Sequence, residues 1–168
     1  MSLFKFGTLG VYSNVINNPR AIAIADTKLG QTYKIVDNYS ASIQEGAVAF
    51  ATDAEVKAGN VWVCLNVIDT PELWRLADFV VKAGTPVRSY KLDDLIGYPV
   101  ELSSDLVTTA YASVAVGDYL IPCNSTDDAT TATSWKKAAT PTGYAVAIKV
   151  MEKTTFGGTG FYGKLTKI

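Results

Sequence analysis

Histidine is absent from the 168-residue sequence, and this absence excludes much of ordinary enzyme chemistry. Without an imidazole the chain cannot build a Ser-His-Asp or Cys-His nucleophilic site. Zinc and iron sites lose their commonest nitrogen ligand, and only two cysteines, Cys64 and Cys123, remain as sulfur ligands. We therefore expect no catalytic residue, no bound metal and no cofactor.

Charge is also scarce. Charged residues make up 18% of the chain, and 15 Lys and Arg nearly balance 16 Asp and Glu, which leaves a net charge of -1. Binding to nucleic acid depends on an excess of positive charge that neutralises phosphates, so we expect no nucleic-acid partner. No apolar run approaches the 18 residues of a membrane span, so we expect no membrane partner either.

The start of the sequence, MSLFKFGTLG, lacks the apolar core of a secretion signal. We therefore expect synthesis in a reducing cytoplasm, where disulfides are rare. Cys64 stands inside the apolar run VWVCLNV and is predicted to be buried, whereas Cys123, after Pro122, is predicted to be partly exposed.

Short apolar segments, by contrast, are abundant. Hydrophobic residues make up 48% of the chain and aromatic residues 11%. Alternation with a period of two, or a short apolar run bounded by turn residues, is typical of strands. Such segments are RAIAIA, QTYKIV, GAVAFAT, NVWVCLNVI, TPVRSYKL, YPVELS, DYLIP, SWKKA, YAVAIKVM and FYGKLTKI. This density predicts a mainly β fold, a small β-barrel or β-sandwich of short strands.

One short helix is predicted in DTPELWRLADFVV, residues 69–81, where Thr70 can cap and Pro71 suits the first helical position. Residues 1–19 are predicted to form an extended N-terminal arm, and an edge strand of the same domain is the alternative. Residues 20–168 then form a single β-rich domain. Within it, the polar segment CNSTDDATTATS, residues 123–134, is predicted to be a mobile surface loop.

The sequence VKAG occurs twice, ending at Gly59 and Gly84, and an echo of it ends at Gly117. Each glycine is followed within two or three residues by apolar strand formers. Because glycine tolerates the positive φ that tight turns require, we interpret all three as turns that lead into strands. Beyond the glycine the copies differ too much to form a solenoid repeat.

The segment GGTGFYGKLT matches the phosphate-binding pattern G-x-x-x-x-G-K through Gly158, Gly163 and Lys164. Leu165 stands where that motif needs a Ser or Thr, and too few residues follow for the helix that must face the phosphates. We therefore interpret the segment as part of a hairpin. Asp93 and its neighbour Asp94 are interpreted as a turn or the start of a helix rather than as a catalytic pair.

Large aromatic side chains are the remaining candidates for function, since exposed aromatic residues anchor protein interfaces. Trp62 is assigned to the core by its apolar neighbours, whereas Trp135 follows the polar loop and the lysines after it read as solvated charges. The candidate interface residues are Phe4, Phe6, Tyr12, Trp74 and Trp135.

The order of segments over residues 75–168 resembles a known group. LADFVVKAGTPVRSYKL is followed by VAVGDYLIP, then WKKA, then GYAVAIKVMEKTTFGGTGFYGKLTKI. This arrangement is similar to that of the capsid decoration, or cement, proteins of tailed bacteriophages. The polar insert at 125–134 and the long start before Ala51 depart from the compact version of the pattern.

The resemblance implies a structural virion protein, not an enzyme, on the outer capsid surface. Its implied partners are the major capsid protein and other copies of itself in a homotrimer, and it binds no small-molecule substrate. Its implied action is to stabilise the capsid by bridging neighbouring shell subunits. The alternatives are another phage structural part (tail-tube, head-fibre or baseplate protein), a carbohydrate- or cell-surface-binding module that uses Trp135 and nearby tyrosines, and an enzyme restricted to Ser-Lys or carboxylate chemistry.

Overall fold

A computed structural model describes residues 4–6, 17–18, 21–37, 45–66, 79–130, 132–155 and 158–168. Its architecture is mainly β, with curled sheets of short strands, as predicted. The strands are β1 (Phe4–Phe6), β2 (Asn17–Asn18), β3 (Ala21–Ala23), β4 (Thr27–Lys28), β5 (Thr32–Val36), β6 (Glu45–Val48), β7 (Trp62–Cys64), β8 (Val80–Val81), β9 (Ser89–Lys91), β10 (Pro99–Ser103), β11 (Tyr119–Pro122), β12 (Trp135–Ala138), β13 (Val146–Thr155) and β14 (Gly160–Lys167).

Helical structure in these ranges is short. It consists of α1 (Asp53–Lys57) and three single 3-10 turns, Leu92–Leu95, Ser104–Leu106 and Tyr111–Ser113. Helix α1 was not predicted from the sequence. Thr52 caps it by accepting a hydrogen bond from the Glu55 N–H, and Val56 is its buried residue. Such a brief helix shows too little periodicity to be detected.

Five strands in the first half of the chain close into a ring, the amino-terminal ring. Strands β3, β6, β5, β7 and β9 pair in that order. The segment before β9 then returns to β3, because the Ala23 N–H donates to the Thr85 carbonyl (3.0 Å) and the Val87 N–H to the Ala21 carbonyl (2.8 Å). The ring therefore has no open edge at β3, and its interior is filled by small alanines and by Tyr33, whose hydroxyl contacts Ser89 Oγ at 2.8 Å.

Five strands in the second half close in the same way into the carboxy-terminal ring. Strands β10, β14, β13, β11 and β12 pair in that order. The segment that follows β10 runs parallel to β12, where Val107 bridges Trp135 and the Thr108 N–H donates to the Trp135 carbonyl at 2.7 Å. Leu120, Ile148 and Phe161 are fully buried in the core of this ring.

The two rings have the same topology. If the strands of each ring are numbered one to five along the chain, both rings have the order 1-5-4-2-3, and strand 3 then returns to strand 1. Strands 1 and 3 are parallel, and every other neighbouring pair is antiparallel. The chain therefore contains one five-stranded ring twice.

The VKAG echo is not this repeat. Gly59 precedes strand 4 of the amino-terminal ring, Gly84 precedes its strand 5, and Gly117 precedes strand 2 of the carboxy-terminal ring. All three glycines have positive φ, between 80° and 96°, so their interpretation as turns before strands is confirmed.

Two other predictions have mixed outcomes. Most of the predicted helix at 69–81 lies outside the described residues, but its last two residues form β8, which pairs with β4, so the helix does not extend that far. For the predicted arm, the backbone of Phe4–Phe6 pairs with β10 and that of Asn17–Asn18 pairs with β9. These two short segments therefore follow the edge-strand alternative.

Candidate functional site

The two rings are joined by a seam of hydrogen bonds, which we define by Gln31, Thr32, Thr133 and Trp135. Thr32 and Thr133 form an antiparallel bridge in which the Thr133 N–H donates to the Thr32 carbonyl at 2.9 Å. The Gln31 side-chain amide donates to the Ala132 carbonyl at 2.7 Å. All of these residues are buried, so each polar group needs its partner and the seam holds the rings in one arrangement.

Trp135 lies at the centre of this seam. Its side chain is fully buried, and its Nε1–H donates to the Gly30 carbonyl at 2.9 Å. The prediction that Trp135 is exposed and anchors an interface with another molecule is therefore wrong. The polar loop before it made the position look exposed, but the indole contacts a residue 105 positions away in the sequence. Trp135 is an anchor between the two halves of its own chain.

The prediction that residues 123–134 form a mobile surface loop is also wrong at both ends of the segment. Asn124 is buried and donates to Asp53 Oδ1 at 2.8 Å, and Thr133 and Ser134 are buried next to the seam. Cys123 is fully buried as well, which contradicts its predicted partial exposure. The polar side chains enter the interior because hydrogen bonds satisfy them there.

A lysine between two carboxylates lies beside this loop. Lys136 Nζ contacts Asp127 Oδ2 at 2.5 Å and Asp53 Oδ1 at 3.3 Å. Burial lowers the pKa of Lys136, but the hydrogen bonds to the two aspartates outweigh burial and raise the pKa above its ordinary value. The ammonium group therefore stays charged and ties the loop to α1, and it is not a neutral amine available for nucleophilic chemistry.

The two cysteines lie in the interior of the protein. Both are free and buried, and burial raises the pKa of Cys64 and of Cys123 to about 12. Since the thiolate is the reactive form and the metal-binding form, neither cysteine is poised for chemistry. Within the described ranges, no group of three Cys, Asp or Glu residues is placed to hold a metal ion.

The other sequence patterns with possible chemistry have structural explanations. Gly163 and Lys164, from the pattern that resembles a phosphate loop, lie inside β14 rather than in a loop before a helix. A Cβ atom on Gly163 would lie 2.5 Å from the Lys149 carbonyl oxygen, so this glycine allows close approach of β13. Asp93 and Asp94 lie in a 3-10 turn, as interpreted from the sequence.

One cleft, of about 370 Å³, has aspartates in its wall, among them Asp26, Asp105 and Asp128. The carboxylate of Asp26 accepts hydrogen bonds from Lys82 Nζ at 2.6 Å and from the Ala83 N–H at 3.1 Å. The hydrogen bond from Lys82, followed by that from Ala83, lowers the pKa of Asp26. This carboxylate is therefore ionised and already partnered, which is unsuited to a general acid.

The candidate functional site is a surface on the carboxy-terminal ring, the Val116–Met151 surface. Val116 and Met151 are 60% and 54% exposed, the highest values among the large apolar side chains that the structure describes. They flank the hydrogen bond from the Gly117 N–H to the Val150 carbonyl, which is 2.8 Å long. Two exposed apolar side chains on hydrogen-bonded neighbouring segments make this surface the candidate for contact with another protein.

Charged groups close in sequence to Val116 and Met151 are held by defined partners. Lys137 Nζ lies 2.8 Å from Asp118 Oδ2, and Lys153 Nζ donates to the Tyr111 carbonyl at 3.0 Å while it covers the Tyr111 ring. The hydrogen bond from Lys137, followed by that from the Ala115 N–H, lowers the pKa of Asp118. Sequence reasoning missed this surface because isolated Val and Met residues carry no motif.

The remaining predicted interface residues are Phe4, Phe6, Tyr12 and Trp74, and the structure describes the side chain of none of them. Phe4 and Phe6 belong to β1, of which only the backbone is described, and Tyr12 and Trp74 lie outside the described residues. No helix in the described part of the chain is both long and apolar enough to span a membrane. The sequence matches no family model, and neither curated proteins nor solved structures include a match to it.

Proposed function

We propose that this chain is a structural virion protein that binds the outside of a phage capsid and bridges neighbouring shell subunits. The proposal takes its biological setting from the resemblance of residues 75–168 to decoration proteins. Its partners are the major capsid protein and other copies of the chain. The protein acts mechanically, since opening the shell would require breaking its contacts as well.

The observation that carries the proposal is the position of β1. In the strand order β1-β10-β14-β13-β11-β12, β1 is outermost, and among the described strands it pairs only with β10. An outermost strand offers main-chain N–H and C=O groups to an extended segment of another protein. A shell subunit that adds a strand beside Phe4–Phe6 would be held by main-chain hydrogen bonds.

The closed rings suit a protein that transmits force. Strand ladders that return to their starting strand share load over many hydrogen bonds, and the buried seam prevents the two rings from separating easily. Ion pairs such as Lys136–Asp127 also fix the loop that reaches the seam. A bridge between shell subunits stabilises the shell only if the bridge itself does not unfold first.

The proposal is tested by mixing the purified full-length chain with undecorated, expanded heads and measuring co-sedimentation in the micromolar range. We expect saturable binding and heads that resist heating better. Deletion of 2–18 is expected to weaken binding while the rest of the chain stays folded. Failure of the intact chain to bind heads would overturn the proposal.

A finer variant tests the edge strand itself. Lys5 is the middle residue of β1, opposite Glu101 in β10. Lys5→Pro removes a backbone donor from this strand, whereas Lys5→Ala removes the same charge and keeps the donor. We expect weaker head binding for the proline variant alone. Equal binding by both variants would show that strand addition at β1 is not the mode of attachment.

Two alternative functions lead to different expectations. Electron microscopy of rings or tubes formed by the pure chain, without binding to heads, would indicate a tail-tube or baseplate part. The carbohydrate-binding interpretation relied on Trp135 and nearby tyrosines as a sugar platform. The Trp135 side chain is fully buried, so it is not available to stack on a sugar.

A further inference from the structure

The two rings match each other residue by residue around the turn that precedes strand 2. In the amino-terminal ring the Gln31 N–H donates to the Lys28 carbonyl at 3.2 Å, and the Lys28 N–H donates to Gln31 Oε1 at 2.7 Å. In the carboxy-terminal ring the Asp118 N–H donates to the Ala115 carbonyl at 3.2 Å, and the Ala115 N–H donates to Asp118 Oδ2 at 2.7 Å. The same turn is therefore built twice, with an amide in one copy and a carboxylate in the other.

The neighbouring strand continues the match. The Gly30 N–H donates to the Cys64 carbonyl at 2.8 Å, as the Gly117 N–H does to the Val150 carbonyl. The Cys64 N–H returns a bond to the Gln31 carbonyl (3.0 Å), and the Val150 N–H returns one to the Asp118 carbonyl (2.9 Å). These pairs set the correspondence between the rings without reference to side-chain identity.

Two apolar positions follow from this correspondence. The residue before the turn glycine is Leu29 in the amino-terminal ring and Val116 in the carboxy-terminal ring. In strand 4, the residue that accepts the hydrogen bond from the turn glycine is Cys64 in the amino-terminal ring and Val150 in the carboxy-terminal ring. The next residue is Leu65 in the first ring and Met151 in the second. Each ring thus has an apolar residue at both of these matching positions.

The burial of the two pairs is opposite. Leu29 and Leu65 are 7% and 4% exposed, whereas Val116 and Met151 are 60% and 54% exposed. Leu29 belongs to a hydrophobic cluster that includes Ala132 of the carboxy-terminal ring, next to the seam. Leu65 belongs to the cluster that contains most of the core of that ring. Each of these two clusters contains residues of both rings.

We infer that the Val116–Met151 surface docks a second copy of this chain. The surface corresponds to two positions that are buried inside the chain, in clusters that include residues of the other ring. The occupant is therefore the amino-terminal ring of the second copy, arranged head to tail. The contact continues the interface between the rings from one molecule to the next.

The new contact is not an identical copy of the seam. The Thr32 backbone bridges to Thr133, but the corresponding Tyr119 already pairs with Ala138 of β12 and with Lys149 of β13. The backbone bridge is thus unavailable, and apolar side-chain packing supplies the contact between molecules. Such a contact is weaker than the seam and depends on protein concentration.

A head-to-tail contact between unlike surfaces generates a closed ring of molecules or an open filament. A closed trimer would place six five-stranded rings around one axis. The inference rests on the proposed function for this trimeric setting, and it names the surface through which copies of the chain associate.

The test is the molar mass of the full-length chain in solution, measured by sedimentation velocity and light scattering over the micromolar range. Val116→Asp places an unpaired charge in the proposed contact, and Met151→Asp does the same beside it. Ile168→Asp is the matched control, because Ile168 is also an exposed large apolar residue, at 44%, but is not part of this surface. Thermal unfolding of each variant checks that the fold is kept.

We expect the wild-type chain and the Ile168→Asp variant to associate, and both substitutions in the surface to weaken association by at least about tenfold. A wild-type chain that is monomeric throughout this range would overturn the inference, as would an oligomer that Val116→Asp leaves unchanged. Binding of heads is measured separately. A chain that is monomeric and still binds heads would contradict only this inference. A chain that associates but does not bind heads would contradict only the proposed function.

Discussion

Replacing Trp135 with phenylalanine tests whether the seam holds the two rings together. The substitution keeps an aromatic ring in the core but removes the Nε1–H that donates to the Gly30 carbonyl at 2.9 Å. Both residues are buried, so water cannot easily replace the lost donor. The carbonyl is left without this partner, and a gap opens where the larger indole packed.

Two costs combine in this variant. Leaving a buried acceptor without its donor costs about 1–3 kcal/mol. Complete truncation of a buried Trp to alanine costs about 3–5 kcal/mol, so the smaller change to phenylalanine costs roughly 1–2 kcal/mol through packing. We expect the free energy of unfolding to fall by about 2–5 kcal/mol, which in a chain of this length lowers the melting temperature by roughly 4–20 °C.

Chemical unfolding in urea measures this difference, and Trp62→Phe is the matched control. Trp62 is half-buried, and its Nε1–H donates at 2.9 Å to Asn60 on the surface, where water can take its place. The control should therefore lose less than about 1 kcal/mol. If the two variants differ by less than about 0.5 kcal/mol, the seam does not have the role assigned to it.

Three further predictions concern single residues. Gly163→Ala should destabilise the chain by about 1–3 kcal/mol in chemical unfolding, because the new Cβ would lie 2.5 Å from the Lys149 carbonyl oxygen; an unchanged midpoint would contradict the close packing of β13 and β14. The hydrogen bond from Lys137 lowers the pKa of Asp118 from 3.8, so the ionised carboxylate stabilises the fold above that pH and this stabilisation is lost as the pH falls through the lower folded pKa. The Asp118→Asn variant should therefore lose less stability in acid than the wild-type chain. An unaltered dependence of stability on pH would argue against this role of Asp118. Burial raises the pKa of both thiols to about 12, so neither should react with a disulfide reagent near about pH 8 until the chain unfolds, and rapid labelling of Cys64 in the folded chain would be inconsistent with its burial.

The strands were predictable because their signal is local. In the segment that became β13, Val146, Ile148 and Val150 share one face and are buried, as the period of two predicted. Ala147 on the opposite face is also fully buried, whereas Lys149, two residues further along that face, is exposed, so that side of the strand is covered only near Ala147. The sequence left open whether the alanine face lies under a second layer or stays free for a partner.

The candidate site was much less predictable. Trp135 was predicted to be an interface residue because polar residues precede it, yet its side chain is fully buried in the seam. Val116 was passed over, since nothing beside it in the sequence marks it as a docking residue. Exposure depends on what packs against a side chain, and at Trp135 the partner is 105 positions away.

The duplication of the ring is another feature that the structure shows and the sequence does not. Matching positions can hold very different side chains. Trp135, the first residue of β12, pairs with Pro122, and Ala47 pairs with Ile35 at the matching place in the amino-terminal ring. A tryptophan in one ring therefore corresponds to an alanine in the other, so comparison of the amino-acid sequences does not align the two halves. Hydrogen bonds between backbone groups are nearly independent of side-chain identity, and they preserve a repeat that the sequence has lost.

The sequence by itself determined that the chain is mainly β, where most strands lie and which glycines form turns. These features depend on the alternation of side chains along a strand and on the φ preference of glycine, both of which act within a few residues. Only the tertiary structure decided that the strands close into two matching rings, that a tryptophan joins them, and that one apolar pair is covered while its counterpart faces solvent. Those outcomes depend on contacts between distant residues, which no local pattern encodes.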